Sequence, residues 1–432
     1  MEERKGIVKN AVRFLSALAV CGALWGLMPG AARADGPTMI TSSTKEWSGE
    51  IVNLAGIDVT IEGDVQVDGD TAIRLTDDSV GGSVRVTVSG AVDAADGATL
   101  TLGEGVTLKA AGMNIGNAGS GTLTVEGPGT LNVDDGTICG NVILKGATVV
   151  VKEGGGTLDA DVPDADKQGV KGDVTVDSGR VSITGGRGTY NDNTGIGGPG
   201  IKGNLTVYGG EVDVAGGALP SDSSLTGPGG NGVAGNVTFK GGKLTITGGA
   251  GKGEGQADGI AIAESGKLTN DFAGRGWTDI AGTGAGTEIG TGTNQDLESN
   301  YEKVEFQSPK HAITVSESAK GRVTLSNSAG ECVGVYVTLT AVPDNDCKLA
   351  GLTVTAADGT DVPIRDGSEW NTNTYVFTMP DQAVTVAASF KENNSFLGSG
   401  TSDDPYQIWD QADWQLLADK VRNGNEFETL KP

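Results

Sequence analysis

The chain has 432 residues and a formal net charge of −25, which argues against nucleic acid and anionic membranes as partners. Its 72 glycines accompany only 13 prolines and no Gly-X-Y period, so collagen and Gly/Pro-rich disorder are excluded. Valine and isoleucine total 62 against 27 leucines, a balance that favours strands over helices, and the length predicts two or three domains.

The N-terminal segment follows the pattern of a secretory signal peptide. Basic residues up to Lys9 precede an apolar run over 14–28, and an Ala-x-Ala site ends at Ala34. This order predicts cleavage after that alanine, with an uncleaved anchor helix as the alternative. We therefore expect a signal peptide over 1–34, a linker over 35–44, and a secreted protein with no membrane span after cleavage.

The middle of the chain repeats with a period of 31 or 32 residues. A shared glycine recurs in four units, and alternating apolar residues follow it each time. A fixed period with two or three short strands per unit is typical of a solenoid. Equivalent apolar residues should then stack inward, in the rows Val142, Val174, Leu205, Val237 and Val149, Val181, Val212, Leu244.

We therefore predict an all-β chain that begins with a right-handed parallel β-helix over residues 45–290. Coils before the repeat are less regular, and Trp47 belongs to an N-terminal cap. Glycines allow the sharp corners between strands, and coils stack about 4.8 Å apart. A linker over 291–310, a small β-domain over 311–391 and a short C-terminal helix complete the predicted fold.

One polar position beside the corner glycine is shared by all four repeat units. Asn and Asp side chains bond to turn backbone and form ladders between stacked strands. We interpret this position as a structural ladder, and a ligand-binding polar row is the alternative. The residues are Asn141, Asp173, Asn204 and Asn236.

The Gly-Asn-Val-Thr and Gly-Gly-x-Val-x-Val units resemble Gly-rich repeats in large secreted and surface proteins of Gram-positive anaerobic bacteria. They are also similar to the carbohydrate-binding β-helix domains of such bacteria. The resemblance covers roughly residues 45–290, and it implies a bacterial cell-surface location.

A second unit over 311–391 contains alternating strands with turns between them. Its most distinctive stretch is Phe-Thr-Met-Pro, which ends at Pro380. This unit resembles the divergent internalin-type B-repeat, a small β-domain of bacterial surface proteins. The resemblance implies a spacer or interaction module and not an enzyme.

The last segment, 392–432, is predicted to be a linker with a short helix. Trp414, Leu417 and Val421 fall at i, i+3 and i+7, which places them on one apolar helix face. The segment resembles the start of the GLUG-type region of bacterial surface proteins.

Four carboxylates crowd one loop between coils, at Asp159, Asp161, Asp164 and Asp166. Hard cations bind several carboxylate and carbonyl oxygens, so this loop is a candidate site for weak Ca²⁺ binding. The alternative is a solvated charge run, since the spacing matches no EF-hand. No other cofactor is expected.

Two tyrosines are candidate sugar-binding residues because carbohydrate sites combine an aromatic face with polar groups. Tyr208 has an outward repeat position, and Tyr190 lies in a long loop with Asn191. We predict non-catalytic adhesion or carbohydrate binding by a rigid stalk. A glycan, or a host or cell-surface component, is the expected partner.

The alternative function is that of a polysaccharide-active, pectin lyase-like enzyme, because such enzymes use β-helices. This chemistry needs clustered acids and a base near the substrate. The one histidine, His311, lies in the second domain, and Lys171 recurs as Lys202 at a repeated corner. The sequence therefore favours a protein that is not an enzyme.

Cys332 and Cys347 raise the question of a disulfide, since the expected compartment is extracellular. They lie near opposite ends of the strand over 337–341, and an extended strand separates its ends by about 3.3 Å per residue. This geometry argues against the bridge, and the pairing stays open. Cys139 has no evident partner and is expected to be a free thiol.

Overall fold

A computed structural model of the chain describes residues 45–47, 52–53, 58–67, 72–76, 83–103, 105–134, 136–152, 155–157, 168–191, 194–219, 226–297, 301–325, 330–344, 347–366 and 373–392. The chain divides into Met1–Thr38 and Met39–Pro432, and all described residues lie in the second unit. The predicted signal peptide, the linker over 35–44, the four-aspartate loop and the C-terminal helix all lie outside these ranges.

The described residues are all-β, with 34 strands and one short 3-10 turn at Asn117–Gly119. The strands up to residue 157 are β1 (Glu46–Trp47), β2 (Val52–Asn53), β3 (Val59–Ile61), β4 (Val65–Val67), β5 (Ala72–Thr76), β6 (Val84–Ala94), β7 (Thr99–Leu102), β8 (Val106–Ile115), β9 (Thr122–Glu126), β10 (Thr130–Asp134), β11 (Ile138–Cys139), β12 (Asn141–Lys152) and β13 (Gly155–Thr157).

The next strands are β14 (Val174–Thr184), β15 (Arg187–Asn191), β16 (Thr194–Gly197), β17 (Leu205–Val207), β18 (Glu211–Ala215), β19 (Val237–Phe239), β20 (Lys243–Thr247), β21 (Leu268–Asn270), β22 (Gly274–Trp277), β23 (Thr287–Ile289), β24 (Gly292–Gln295) and β25 (Lys303–Gln307). The last strands are β26 (Lys310–His311), β27 (Ile313–Val315), β28 (Gly321–Leu325), β29 (Glu331–Cys332), β30 (Tyr336–Pro343), β31 (Cys347–Ala356), β32 (Ile364–Asp366), β33 (Thr374–Thr378) and β34 (Val384–Glu392).

Twenty-two of the described strands form one sheet, here called the long sheet, in which most neighbours run parallel. The register joins residues one repeat apart, so the apolar side chains of successive repeats pack directly over one another. All members of these rows are buried. The first row is Val142, Val174, Leu205, Val237 and Leu268, and the second is Val149, Val181, Val212 and Leu244.

A third line of contact consists of single parallel bridges between successive repeats. Ile138 pairs with Val170, and the bridges continue to residue 262. These residues are also buried, so each repeat presents apolar residues from three lines of contact to one interior. Burial of such rows is the main favourable term for the fold, at about 25 cal/mol per Å² of apolar surface.

The strands before the repeat pair in the same parallel manner at shorter intervals. Val59 pairs with Val86, Val86 with Leu108, and Leu108 with Leu131. Their side chains are buried and continue the same interior. The less regular early coils expected from the sequence therefore share one hydrophobic core with the repeat.

The end of the long sheet changes to antiparallel pairing. Strand β25 pairs antiparallel with β20 and β22, and β24 pairs antiparallel with β21. Phe306 on β25 packs against Phe239 with ring centroids 5.6 Å apart. The linker predicted over 291–310 is therefore wrong, because β24 and β25 belong to the sheet. Their backbone groups pair with an edge that would otherwise be open to other chains.

The second domain contains three small sheets. One pairs β26 with β29, one consists of β27, β34 and β31, and one consists of β28, β30, β33 and β32. Alternating residues of the strands point into a separate apolar core. This core includes Val337, Leu339, Val354, Phe377 and Val386. Within the described ranges, no helix has the length and apolarity needed to cross a membrane.

Candidate functional site

The outward side chains of β14, β17 and β19 form a regular polar surface, here called the open face. Its central row is Thr175, Thr206 and Thr238, which pair in register and are half-buried. Among the described residues, none of these three hydroxyls takes part in a hydrogen bond. The row therefore presents hydroxyl groups to solvent at the spacing of neighbouring strands, about 4.8 Å.

The four polar residues beside the corner glycines flank this row and are bonded to the backbone of the following repeat. The Oδ1 atom of Asn141 accepts the N–H of Asp173 at 2.8 Å, and the Oδ1 atom of Asp173 accepts the N–H of Asn204 at 2.7 Å. Asn204 and Asn236 bond in the same way to the next repeat, at 2.9 and 2.8 Å. These oxygens connect successive repeats, and the amide nitrogen of Asn204 also donates to Asp173 at 3.1 Å.

Tyr208 lies at the other side of the threonine row and is 52% exposed. Lys240, at the equivalent position of the next repeat, forms an ion pair with Asp271 at 3.0 Å. Tyr190 lies in β15, but its side chain is outside the part that the structure describes. The structure therefore brings Tyr208 to the open face.

Aspartates in the segment before the repeat also bond to the backbone of a following strand, as Asn141, Asp173, Asn204 and Asn236 do. The alignment of repeat units did not reveal these aspartates. The Oδ1 atoms of Asp58, Asp64 and Asp96 accept backbone N–H groups one coil ahead, at 2.7–2.8 Å. In the sequence, each of them is an aspartate close to a strand end. The strands before the repeat recur at unequal intervals, so no fixed spacing relates these aspartates to one another.

A row of charged residues crosses the face that the second half of β14 forms with β18 and β20, here called the second face of the long sheet. Arg180, Glu211 and Lys243 pair in register on β14, β18 and β20. Glu211 forms ion pairs with both cations, at 3.2 Å to Lys243. Sequence analysis missed this row, although the three residues occupy one repeat position, directly before a buried residue.

The second domain contacts the long sheet beside this row. The N–H of Gly242 donates to the carbonyl of Val333 at 2.9 Å, and the hydroxyl of Ser308 donates to the same carbonyl at 3.2 Å. A groove of about 710 Å³ lies between the two domains and includes Arg180, Lys243 and Tyr336 in its walls. A polar groove at a domain interface is a common position for a ligand site.

Several titratable groups have shifted pKa values, and two of them, Asp279 and Glu302, are neighbours. Burial raises the pKa of Glu302 and of the Cys332 thiol. Backbone N–H groups of Thr283 and Thr360 lower the pKa of Asp279 and Asp358, respectively. An acid and a base with opposed pKa shifts side by side would be typical of hydrolytic chemistry. Glu302 and Asp279 have opposed shifts and are close enough that the charge of Asp279 contributes, after burial, to the raised pKa of Glu302. Cys332 and Asp358 lie in the second domain.

Other candidate chemical groups take part in ion pairs or lie exposed. His311 Nε2 lies 2.8 Å from Asp381, and Asp134 pairs with Lys109 at 3.0 Å. Lys171 and Lys202 are exposed. The described residues contain no group of three or more His, Cys, Asp or Glu side chains arranged for a metal ion.

The three cysteines within the described ranges form no disulfide with one another. Cys332 is buried at the domain contact, and its Sγ lies 3.6 Å from Nε2 of Gln307. Cys347 begins β31 and is half-buried. The structure therefore agrees with the strand-geometry argument against the bridge.

Comparison with known proteins identifies the second domain. No curated protein and no solved structure matches the chain. Residues 311–394, which span β26 to β34, match the family of the divergent InlB B-repeat domain, so this segment is a B-repeat-like domain.

Proposed function

We propose that this protein is a non-catalytic, secreted cell-surface protein that binds carbohydrate through the open face of a rigid stalk. The observation that carries the proposal is the in-register row of Thr175, Thr206 and Thr238, whose hydroxyls have no hydrogen bond among the described residues. Amide groups and the exposed ring of Tyr208 flank this row. Hydroxyl and amide groups beside an aromatic ring are the groups that bind sugars.

We further propose that the stalk is a right-handed parallel β-helix. Three lines of parallel pairing at intervals of 31 or 32 residues support this architecture, one of them through Val174 and Leu205. Parallel strands joined by a crossover in one sheet are right-handed in about 98% of cases, so the right hand follows. A stalk of this kind holds its outward side chains at fixed spacing, which suits a repetitive ligand.

Export to the surface of a bacterium is part of the proposal. It is supported by the signal-peptide pattern over 1–34 and by the B-repeat-like domain at 311–394. The proposed glycan is neutral, because the net charge of −25 disfavours an acidic polymer along most of the surface. Ca²⁺ binding by the loop around Asp161 also remains a proposal.

The alternative is a polysaccharide lyase or hydrolase. Such an enzyme needs a general acid and base within reach of one bond. The exposed Lys171 does not favour it, and the two neighbouring carboxyls with opposed pKa shifts, Glu302 and Asp279, do not line the groove between the domains. We therefore propose binding without turnover.

A glycan array with the mature chain tests the proposal, followed by calorimetry with the best ligand. The triple variant Tyr208→Ala, Thr206→Val, Thr238→Val should lose binding while keeping its melting temperature. The matched control is Thr184→Val with Thr247→Val, which changes outward threonines of the second face. Loss of binding in the control alone, or release of product from pectate or another glycan, would contradict the proposal.

A further inference from the structure

The groove between the long sheet and the B-repeat-like domain has two walls of different origin. One wall is the in-register row that runs from Thr148 through Arg180 to Lys243 on the long sheet. The other is an outward face of β30 and β33, with Tyr336 and Thr374. The groove exists only because the two domains are docked against each other.

Contacts between the walls hold the groove in shape. The ring of Tyr336 lies beside Gly146, within ordinary contact distance of the position that a β-carbon would occupy there. At one end, Nε2 of Gln307 approaches Sγ of Cys332 at 3.6 Å. The guanidinium carbon of Arg365 lies 5.8 Å from the centre of the Tyr336 ring, which orients the aromatic side chain.

The charge of the groove is opposite to that of the whole chain. Arg180, Lys243 and Lys310 contribute three cations, whereas Glu211 and Glu331 contribute two carboxylates. One of these carboxylates, that of Glu211, already lies between two of the cations. In a chain of net charge −25, the groove therefore has a local excess of one positive charge, which disfavours an anion less than the rest of the surface does.

The polar character of the walls favours a sugar over a peptide. Thr148 and Thr338 bring hydroxyl groups to the groove, and one aromatic ring stands beside them. The hydroxyl of Thr374 is buried and has no hydrogen-bond partner among the described residues. Apolar residues such as Pro128, Val335 and Val376 also line the walls, and hexaglutamate serves below as the probe for an acidic peptide.

We propose that this groove binds a carboxylate-bearing sugar, with Arg180 and Lys243 as the residues that hold the carboxylate. Arginine and lysine form charge-assisted hydrogen bonds to carboxylates, and the ligand carboxylate would share these two cations with Glu211. The ring of Tyr336 packs against the sugar, and the threonine hydroxyls bond to its hydroxyl groups. The site is separate from the open face and uses different residues, so it goes beyond the function proposed above.

Calorimetry of the mature full chain at low salt tests the proposal with two pairs of probes. The first pair is 3′-sialyllactose and lactose, and the second is trigalacturonate and its methyl ester. In each pair only the acidic member should bind, and the pair that succeeds identifies the source of the acid. Removal of a carboxylate contact should weaken binding roughly tenfold, which corresponds to about 1.4 kcal/mol, and added salt should weaken it further.

The double variant Arg180→Gln, Lys243→Gln should lower the affinity for the acidic sugar by about tenfold or more, because it removes at least one charged contact to the carboxylate. The matched control is Lys240→Gln, which also removes a lysine from an ion pair but lies on the open face. It should bind as the parent does, and so should the open-face triple variant. Failure of both acidic sugars to bind, equal affinity of the groove variant and the parent, or equal binding of hexaglutamate would overturn the proposal.

Discussion

The carbonyl oxygen of Gly334 lies against the Cα atom of Gly209, so close that a β-carbon on Gly209 would overlap with it. The backbone of Gly209 is not in the left-handed region, so this glycine is required for space and not for its conformation. Tyr208 and Gly242 contact the same turn of the B-repeat-like domain. Missing side chains on both partners therefore allow the two domains to dock.

Gly209→Ala should separate the docked domains without unfolding either of them. The added methyl group overlaps with backbone that cannot move away as a flexible side chain could. Small-angle scattering should show a larger radius of gyration, while the circular dichroism spectrum stays unchanged. The control is Gly290→Ala, where a β-carbon meets nothing within 4 Å. An unchanged radius in Gly209→Ala would contradict the docking described above.

Leu205→Asp should destabilise the stalk by several kcal/mol, because it places an unpaired charge in a dry interior. Leu205 is fully buried between Val174 and Val237 in the first apolar row. The neighbouring Thr206→Asp, on the open face, serves as the matched control and should have a small effect. Urea unfolding measures both, and a parent-like midpoint for Leu205→Asp would show that the residue is not interior.

Asp173→Ala should cost about 1 kcal/mol, because it removes the acceptor of a backbone N–H between two coils. The N–H of Asn204 donates to Asp173 at 2.7 Å and has no other acceptor there. Asp173→Asn keeps the oxygen and should stay close to the parent in thermal unfolding. If the alanine and asparagine variants melt alike, the ladder oxygen contributes nothing to stability.

Cys332 should react slowly with iodoacetamide in the native protein. Burial raises the pKa of the Cys332 thiol, and the thiolate is the reactive species. Cys347 is half-buried and serves as the internal comparison within the same chain. Peptide mass spectrometry should find faster labelling at Cys347, and the difference should disappear in denaturant. Equal native rates would place Cys332 at an accessible surface.

The turn at Asp279 should loosen in acid. The N–H of Thr283 bonds to the carboxylate at 3.0 Å and lowers the pKa of Asp279 in the folded protein. A lowered folded-state pKa gives stability that is complete above the unfolded-state pKa and is lost as pH falls through the folded-state pKa. The amide resonance of Thr283 should shift over that range. In Asp279→Asn the same resonance should not titrate, and a shift that persists there would assign the transition to another group.

The repeat was the most informative feature of the sequence. The alignment of four units grouped Val174, Leu205 and Val237, and these residues pair in register and are buried. The same alignment grouped Asp173 with the equivalent residues of the other repeats, and their side-chain oxygens bond to the backbone of the next repeat. Side-chain direction alternates along a strand and equivalent residues of successive repeats pair in register, so one repeat unit specifies the environment of its equivalents.

The B-repeat-like domain was also recognisable from local pattern. Alternating strands and the Phe-Thr-Met-Pro stretch predicted a small β-domain, and residues 311–394 match the corresponding family. The boundary before it was wrong, because β24 and β25 pair with the end of the long sheet. Antiparallel closure depends on partners distant in the chain, and no local pattern around residue 300 reveals them.

The groove depended on contacts that no local pattern contains. Strands β15 to β29 separate Arg180 from Tyr336 in the sequence, yet both residues line one groove. Alternation and repeat length specify which side chains face inward, because those properties act between neighbouring residues and adjacent coils. Which outward residues meet across domains is decided by close packing, here by the approach of Gly334 to Gly209, and this requires the whole folded chain.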